Sequence, residues 1–206
     1  CGYRTRHGIT HRHALRPPTG DPCKSAITNH SAPFRVTENS EIQTLREPLD
    51  VLAIMAHPDD AELLCGGALI KSARQAHRVG VIDLTAGEMG SSGSATIRGK
   101  EADYAAEIMG LVERRCLGLP DADLENNQES RHLLVEHLRT LRPRTVITHW
   151  PVGRHPDHRI AAELVRDACF LSALKKLDIE GEPFRPLKPA HWHPSITYWQ
   201  HHWIQL

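Results

Sequence analysis

The sequence predicts an α/β fold, a Rossmann-like three-layer sandwich around a mainly parallel sheet. Apolar runs of strand length alternate with segments of helical periodicity between positions 49 and 177. This alternation is typical of a parallel sheet with helices on both faces. The runs are almost continuously apolar, as in strands that are buried on both sides. The length of 206 residues suits one domain with a sizeable core.

Four strands and four helices are predicted in alternation. The strands are expected over 49–55, 78–85, 114–119 and 144–150, and the helices over 60–77, 96–110, 129–141 and 160–177. Thr96 is the candidate N-cap of the second helix, and Gly110 is expected to end it. Arg142 precedes a proline and is expected to end the third helix.

The first 47 residues differ from this pattern. They are rich in Arg, His, Pro, Ser and Thr, and we expect them to form a mostly disordered extension. The chain begins with Cys and its first Met is Met55, which suggests a fragment or an overextended reading frame. The domain proper is expected over 48–185.

Composition argues against several classes of partner. The 25 basic and 25 acidic residues cancel, so we expect no nucleic acid and no anionic membrane surface as a partner. No apolar run approaches the ~20 residues of a membrane-spanning helix. The N-terminus lacks the apolar centre of a signal peptide, and we expect a cytoplasmic protein. The five cysteines form no CxxC pair, which argues against a thiolate zinc site.

Two similar motifs carry the chemistry. The first motif is HPDD at 57–60 and the second motif is HPDH at 155–158, each after a predicted strand. In each, a potential metal ligand lies three residues after a histidine, and residues three apart share one side of a helical turn. Proline restricts the histidine before it to extended backbone. Because ligands bind beyond the carboxyl ends of parallel strands, we expect both motifs to meet at that edge of the sheet.

The donor types indicate a catalytic metal site. Imidazole nitrogens and carboxylate oxygens suit Zn²⁺ or Fe²⁺ better than Ca²⁺ or Mg²⁺. Two histidines and one carboxylate leave a position open, and a second carboxylate nearby can act as general base. Asp59 and Asp60 can divide these two tasks. The alternative is structural, with Asp60 capping the following helix and Asp59 in solvent.

The motifs carry a family resemblance. AHPDDAE at 56–62 and GRHPDH at 153–158 resemble the LmbE-like, or PIG-L, deacetylases, metal-dependent enzymes that remove the acetyl group from N-acetylglucosamine conjugates. The segments 84–102 and 117–127 resemble the N-acetylglucosaminyl-malate deacetylases of bacillithiol biosynthesis. The resemblance implies a Zn²⁺- or Fe²⁺-dependent hydrolase with a small N-acetyl amino-sugar conjugate as its substrate. Relatives are often homo-oligomers.

The resemblance also implies residue roles. The family's metal ligands fall on His57, Asp60 and His158. Its general base falls on Asp59. His155 would stabilise the oxyanion or help to protonate the leaving amine, with Asp157 as its orienting partner. The substrate-binding arginine matches Arg98.

Four further residues have less specific assignments. The loops that line the sugar site in such enzymes contain Glu88, Ser91 and Asp121, for which ordinary loop or turn polarity is the alternative. His149 ends the fourth predicted strand and points toward the same edge. It either touches substrate or packs as a hydrogen-bonded histidine.

The segment 186–206 departs from the family. We interpret it as an atypical C-terminus, truncated or frame-shifted. Two alternatives are a metal-binding tail that includes His191, His193, His201 and His202, and a short strand over 195–199. This departure motivates the hypothesis of an inactive metal-binding fragment. A separate alternative within the hydrolases is a deacetylase or amidase of another sugar or thiol conjugate.

Overall fold

Five strands alternate with four helices in the computed structural model, which describes residues 47–91 and 93–192, the last five by backbone alone. The strands are β1 (Val51–Met55), β2 (Val79–Thr85), β3 (Glu113–Leu119), β4 (Thr145–His149) and β5 (Lys188–Trp192). The helices are α1 (Asp60–Arg74), α2 (Ala95–Met109), α3 (Gln128–Leu141) and α4 (Pro156–Leu171). Residues 1–46 and the strand considered over 195–199 lie outside the described residues.

The strands form one parallel sheet in the order β3-β2-β1-β4-β5. The chain runs outward from β1 to β3 and then crosses to the other side of β1 to form β4. The strand order therefore reverses between β1 and β4, and a crevice opens at such a point beyond the carboxyl ends of the strands. The predicted fold class is confirmed. The fifth strand lies in the segment that departs from the family.

Alternate residues of β1 enter two separate apolar clusters. Leu52 and Ile54 pack in the cluster that contains residues of α3 and α4. Ala53 and Met55 pack in the cluster that contains residues of α1. Successive side chains of a strand point to opposite faces of its sheet. Both faces are therefore covered, which gives the three predicted layers.

Three helices begin before their predicted starts, α2 and α3 by one residue and α4 by four. Ser94 caps α2, because its side chain accepts a hydrogen bond from the Ile97 N–H at 3.3 Å. The prediction that Thr96 is the cap was therefore wrong. The end of α2 was predicted correctly, since Gly110 takes the left-handed conformation with φ +71°. Helix α4 begins at Pro156, four residues before the predicted start, and so includes most of the second motif.

The helices carry no membrane signal. Within the described part of the chain, no helix is both long enough and apolar enough to span a bilayer.

Candidate metal centre and active site

The first motif forms a tight turn between β1 and α1. The Asp60 carboxylate accepts a hydrogen bond from the His57 N–H at 2.9 Å and also lies 3.1 Å from His57 Nδ1. Both residues are buried, since only 6% of Asp60 and 8% of His57 are exposed. Asp59 occupies the N-cap position of α1 but makes no side-chain capping bond. Helix capping therefore accounts for neither aspartate.

The second motif places its residues on the first turn of α4. His155 is the N-cap residue and Pro156 the first helical residue. His158 reaches across to the first motif, with Nε2 3.1 Å from Asp60 Oδ1. The Asp60 carboxylate thus contacts an imidazole from each motif.

Three side chains from the two motifs converge on one point. One ligand atom each of His57, Asp60 and His158 lies within 4.8 Å of the other two. The two contacts of Asp60, each 3.1 Å from an imidazole nitrogen, are close to the ligand spacing around a cation with bonds of about 2.0–2.2 Å. The set of two imidazoles and one carboxylate therefore fits Zn²⁺ or Fe²⁺. The three residues that the sequence assigned as ligands are brought together.

The charges in this cluster shift the pKa values of His57 and Asp60. Burial lowers the pKa of His57, but the Asp60 hydrogen bond and the charges of Asp60 and Asp121 raise it to about 9. Burial raises the pKa of the Asp60 carboxyl, and the imidazoles around it lower it well below its usual range. Asp60 is therefore ionised, which is the ligating form. His57 has to lose a proton before it can bind a cation, so metal binding should release a proton.

His149 supports this centre from within the sheet. Its Nε2 lies 2.9 Å from the Ala56 nitrogen and 3.3 Å from Asp60 Oδ2. Its ring stacks on that of His158, with 3.9 Å between centroids and an angle of 14°. Only 2% of the residue is exposed. The structure thus favours the packed, hydrogen-bonded histidine over a substrate contact.

Asp59 lies beside the three candidate ligands. Its side chain is 59% exposed, and Oδ2 lies 3.2 Å from Arg98 Nη2. Arg98 also donates to the Gly87 carbonyl at 3.1 Å. A Cβ on Gly87 would lie 2.6 Å from Arg98 Cζ, and one on Gly90 would lie 2.4 Å from Nη1. The glycine-rich loop therefore has no side chains where Arg98 needs to lie.

Asp157 is placed differently from Asp59. It is buried, with 2% of the residue exposed, and its carboxylate accepts from the Ala122 N–H at 2.8 Å. Its Oδ2 lies 3.3 Å from His57 Nε2 and within 4.8 Å of a ring nitrogen of His155. Asp157 therefore faces the outer nitrogen of His57 in addition to its predicted partner His155.

His155 lies at the open side of the centre. Its ring centroid is 4.8 Å from that of His57 and 4.7 Å from that of His158. Burial lowers its pKa, as do the charges of His158 and His57. The residue is exposed, so a molecule in the crevice can reach its ring.

Two hydrogen bonds join the loops that follow β2 and β3, at the same edge of the sheet as the candidate ligands. The Met89 N–H donates to Asp121 Oδ2 and the Asp121 N–H donates to Glu88 Oε1, both at 2.8 Å. Asp121 Oδ1 lies 3.1 Å from His57 Nε2. Asp121 thus reaches the metal centre itself, and Glu88 holds its backbone. Ser91 lies exposed in the loop.

Sequence reasoning missed two contributions to the site. One is the contact of Asp121 with His57, and the other is the buried Arg114, which donates to the Pro58 carbonyl within the first motif at 3.0 Å. The sequence contains one signal for the second. Asp83 is a charged residue inside the otherwise apolar strand β2, and a buried charge needs a partner.

Comparison with known proteins gives a consistent family. The sequence model of the PIG-L family, described as GlcNAc-PI de-N-acetylase, matches residues 52–169. A solved structure, the conserved protein TT1542 from Thermus thermophilus, is 43% identical, with 71% of this chain and 68% of that chain covered and a TM-score of 0.69.

Two relatives are described by their activity. The N,N'-diacetylchitobiose deacetylase structure from Pyrococcus horikoshii is 28% identical over 75% of this chain and 64% of that chain, with a TM-score of 0.66. The probable N-acetyl-alpha-D-glucosaminyl L-malate deacetylase 2 of Bacillus anthracis is 30% identical over 57% of this chain and 58% of its own length. The chain thus spans little more than half the length of this curated relative.

Proposed function

The chain belongs to the PIG-L family, and on that premise we propose that it is a metal-dependent hydrolase that removes the acetyl group from an N-acetylglucosamine conjugate. The observation that carries the proposal is the placement of Asp59, an exposed carboxylate that directly precedes the candidate ligand Asp60 and lies outside the candidate ligand set. Such a pair of ligating and unligated carboxylates is what metal-assisted amide hydrolysis requires.

His57, Asp60 and His158 would hold the cation, which is Zn²⁺ or Fe²⁺ by its donors. When bound, such a cation lowers the pKa of a water from about 15.7 to about 7 and so supplies a nucleophile at neutral pH. The imidazole of His57 and the carboxylate of Asp60 are buried, so few competing water molecules reach them. The contact of Asp60 with both motifs holds the two sides of the crevice together.

Asp59 acts as the general base in this proposal. Its carboxylate takes a proton as water attacks the acetyl carbonyl, a step that is worth about 10²–10⁴-fold for a well-placed base. Arg98, at 3.2 Å, holds the carboxylate in place at the edge of the crevice.

His155 is the proposed acid. Its exposed ring faces the crevice and can donate a hydrogen bond to the oxyanion, a contribution of roughly 3–4 kcal/mol for a good donor. The same group can deliver the proton that the departing amine needs. The lowered pKa of His155 makes its protonated ring a stronger acid, and Asp157, with a carboxylate oxygen within 4.8 Å of a ring nitrogen, would offset the charge of that ring. The products are acetate and a free amino-sugar conjugate.

The proposed substrate is N-acetylglucosaminyl-malate, as in bacillithiol biosynthesis. A malate aglycone carries carboxylates, and the Arg98 guanidinium is a suitable partner for them. Glu88, Ser91 and Asp121 belong to the loops that we propose as the wall of the sugar site. Arg98 would bind the carboxylates of such a substrate, and the loop residues would bind its sugar.

The test is acetate release from N-acetylglucosaminyl-malate by the zinc-loaded protein. We expect release that chelation abolishes and that the Asp59→Asn variant reduces by about 10²–10⁴-fold. The matched control is Asp103→Asn, the same change at an exposed position of α2, which should leave the rate unchanged.

Two outcomes would redirect the proposal. Release from other N-acetyl sugars or thiol conjugates, but not from the malate glycoside, would move the substrate within the same reaction. No release from any N-acetyl sugar by a folded, zinc-bound protein would overturn the deacetylase and favour an inactive metal-binding fragment.

A further inference from the structure

A buried arginine lies directly beneath the first motif. Arg114 is on β3, and only 3% of its side chain is exposed. Burying an arginine is costly unless its charge is paired and its donors are satisfied. The hydrogen-bond partners of Arg114 therefore show which parts of the fold this buried charge holds together.

All five N–H donors of the guanidinium have acceptors. Nε and Nη2 donate to the two carboxylate oxygens of Asp83, at 2.9 and 3.2 Å. Nη1 donates to Glu62 Oε1 and, at 3.2 Å, to the Ala102 carbonyl. Nη2 also donates to the Pro58 carbonyl at 3.0 Å. A guanidinium has five donors, so none is left over.

These partners belong to the elements that form the site. Pro58 lies between a candidate ligand and the candidate base, and Glu62 lies on the first turn of α1, which begins at a ligand. Asp83 is a buried residue of β2, which lies between β1 and β3 in the sheet. One side chain thus ties the turn of the first motif and the start of α1 to β2 and β3.

We propose that Arg114 is a positioning residue for the metal centre, which holds the turn 57–60 in the geometry that lets His57 and Asp60 share a cation. The inference rests on the proposed function for its chemistry. It goes beyond the assigned roles, because Arg114 touches neither ligand side chain and acts through the Pro58 carbonyl and Glu62. Groups that orient metal ligands typically account for 10–100-fold in metal affinity.

The chain offers a matched control, the equally buried Arg139. Its guanidinium donates to backbone carbonyls of the segment after α4, and not to the site. These carbonyls belong to Ser172, Leu174, Leu177, Ile179 and Gly181. Replacement of either arginine by lysine removes a comparable set of buried bonds, so a loss of stability alone does not distinguish them.

The experiment compares Arg114→Lys with Arg139→Lys in the full chain. The first readout is hydrogen exchange of the protein without added metal. We expect Arg114→Lys to raise exchange about tenfold at 57–62 and to leave 172–181 unchanged, and Arg139→Lys to do the reverse. The second readout is zinc affinity by competition with a chromophoric chelator. It should fall 10–100-fold for Arg114→Lys and less than about threefold for Arg139→Lys.

A uniform rise in exchange, or equal zinc affinities for the two variants, would overturn the proposal. If Arg114→Lys does not fold, Asp83→Asn removes one charge from the network and should raise exchange at the same segment, 57–62. If the wild type binds zinc but releases no acetate, the proposed function fails while the Arg114 comparison still stands. If it binds no zinc, hydrogen exchange alone decides the role of Arg114.

Discussion

The two motifs share the residues His-Pro-Asp, yet the structure uses their aspartates in opposite ways. Asp59 is exposed and lies against Arg98, whereas Asp157 is buried and accepts a backbone hydrogen bond. The two aspartates also lie at different positions in their helices. Asp59 is the N-cap residue that precedes α1, and Asp157 lies within the first turn of α4.

Corresponding residues of the two motifs therefore do not have the same role in the site. In the first motif the fourth residue, Asp60, is the buried ligand candidate and the third is open to substrate. In the second motif the third residue packs beneath the site and the fourth, His158, reaches the centre. Each motif therefore provides a candidate ligand at its fourth position, but only the first motif has an exposed carboxylate at its third.

The largest expected effect follows from the residue that joins the two motifs. Asp60→Asn removes the charge that contacts His57 and His158. We expect zinc affinity to fall at least about 100-fold and acetate release at least about 10³-fold, because a catalytic cation is worth several kcal/mol. Chelator competition and acetate release measure these effects. Unchanged zinc binding would place the metal elsewhere, and Asp103→Asn serves as the control.

The next prediction compares the two third-position aspartates. Asp59→Asn should lower kcat by about 10²–10⁴-fold with the unfolding free energy unchanged, because the side chain is exposed. Asp157→Asn should lower the unfolding free energy by about 1–3 kcal/mol, because it weakens a buried hydrogen bond to a charged group. Urea titration and steady-state kinetics separate the two. Equal effects on stability would contradict the difference in burial.

A smaller effect is expected from the loop that holds Arg98 beside Asp59. Gly87→Ala places a side chain at φ +66° and 2.6 Å from Arg98 Cζ. Gly118→Ala has a similar φ of +67° with no atom within 4 Å, so it measures the backbone cost alone, about 1–2 kcal/mol. Gly87→Ala should in addition raise KM for the malate conjugate. If the two variants had the same KM, Arg98 would not contribute to substrate binding.

The last prediction concerns the pH dependence of stability, which should leave catalysis untouched because it arises away from both motifs. Burial and the charge of Arg115 lower the pKa of His137 from 6.5 to about 4. The unfolded chain therefore binds a proton first as the pH falls, and stability should decrease between about pH 6.5 and 4. His137→Gln should flatten that part of the stability curve, as measured by urea titration at several pH values. An identical curve would show that other groups, including those of the two motifs, dominate.

Several features of the fold could be predicted because they rest on local patterns. The apolar runs of β1, β2 and β4 and the stop at Gly110 follow from burial and from backbone freedom at glycine. The cap of α2 could not be predicted as well, because Ser94 and Thr96 are equivalent in sequence. Only the path of the loop before α2 places the Ser94 hydroxyl next to the Ile97 N–H.

The site shows the same division. By itself, the sequence predicted which residues could bind a cation, from imidazoles and carboxylates three residues apart after two strands. The tertiary structure decided which aspartate is open and which is buried, that Asp121 reaches His57, and that Arg114 ties the first turn to the sheet. These contacts join residues that are distant in the chain, and their partners depend on strand order and on where each helix begins. Neither is determined by the local spacing of a motif.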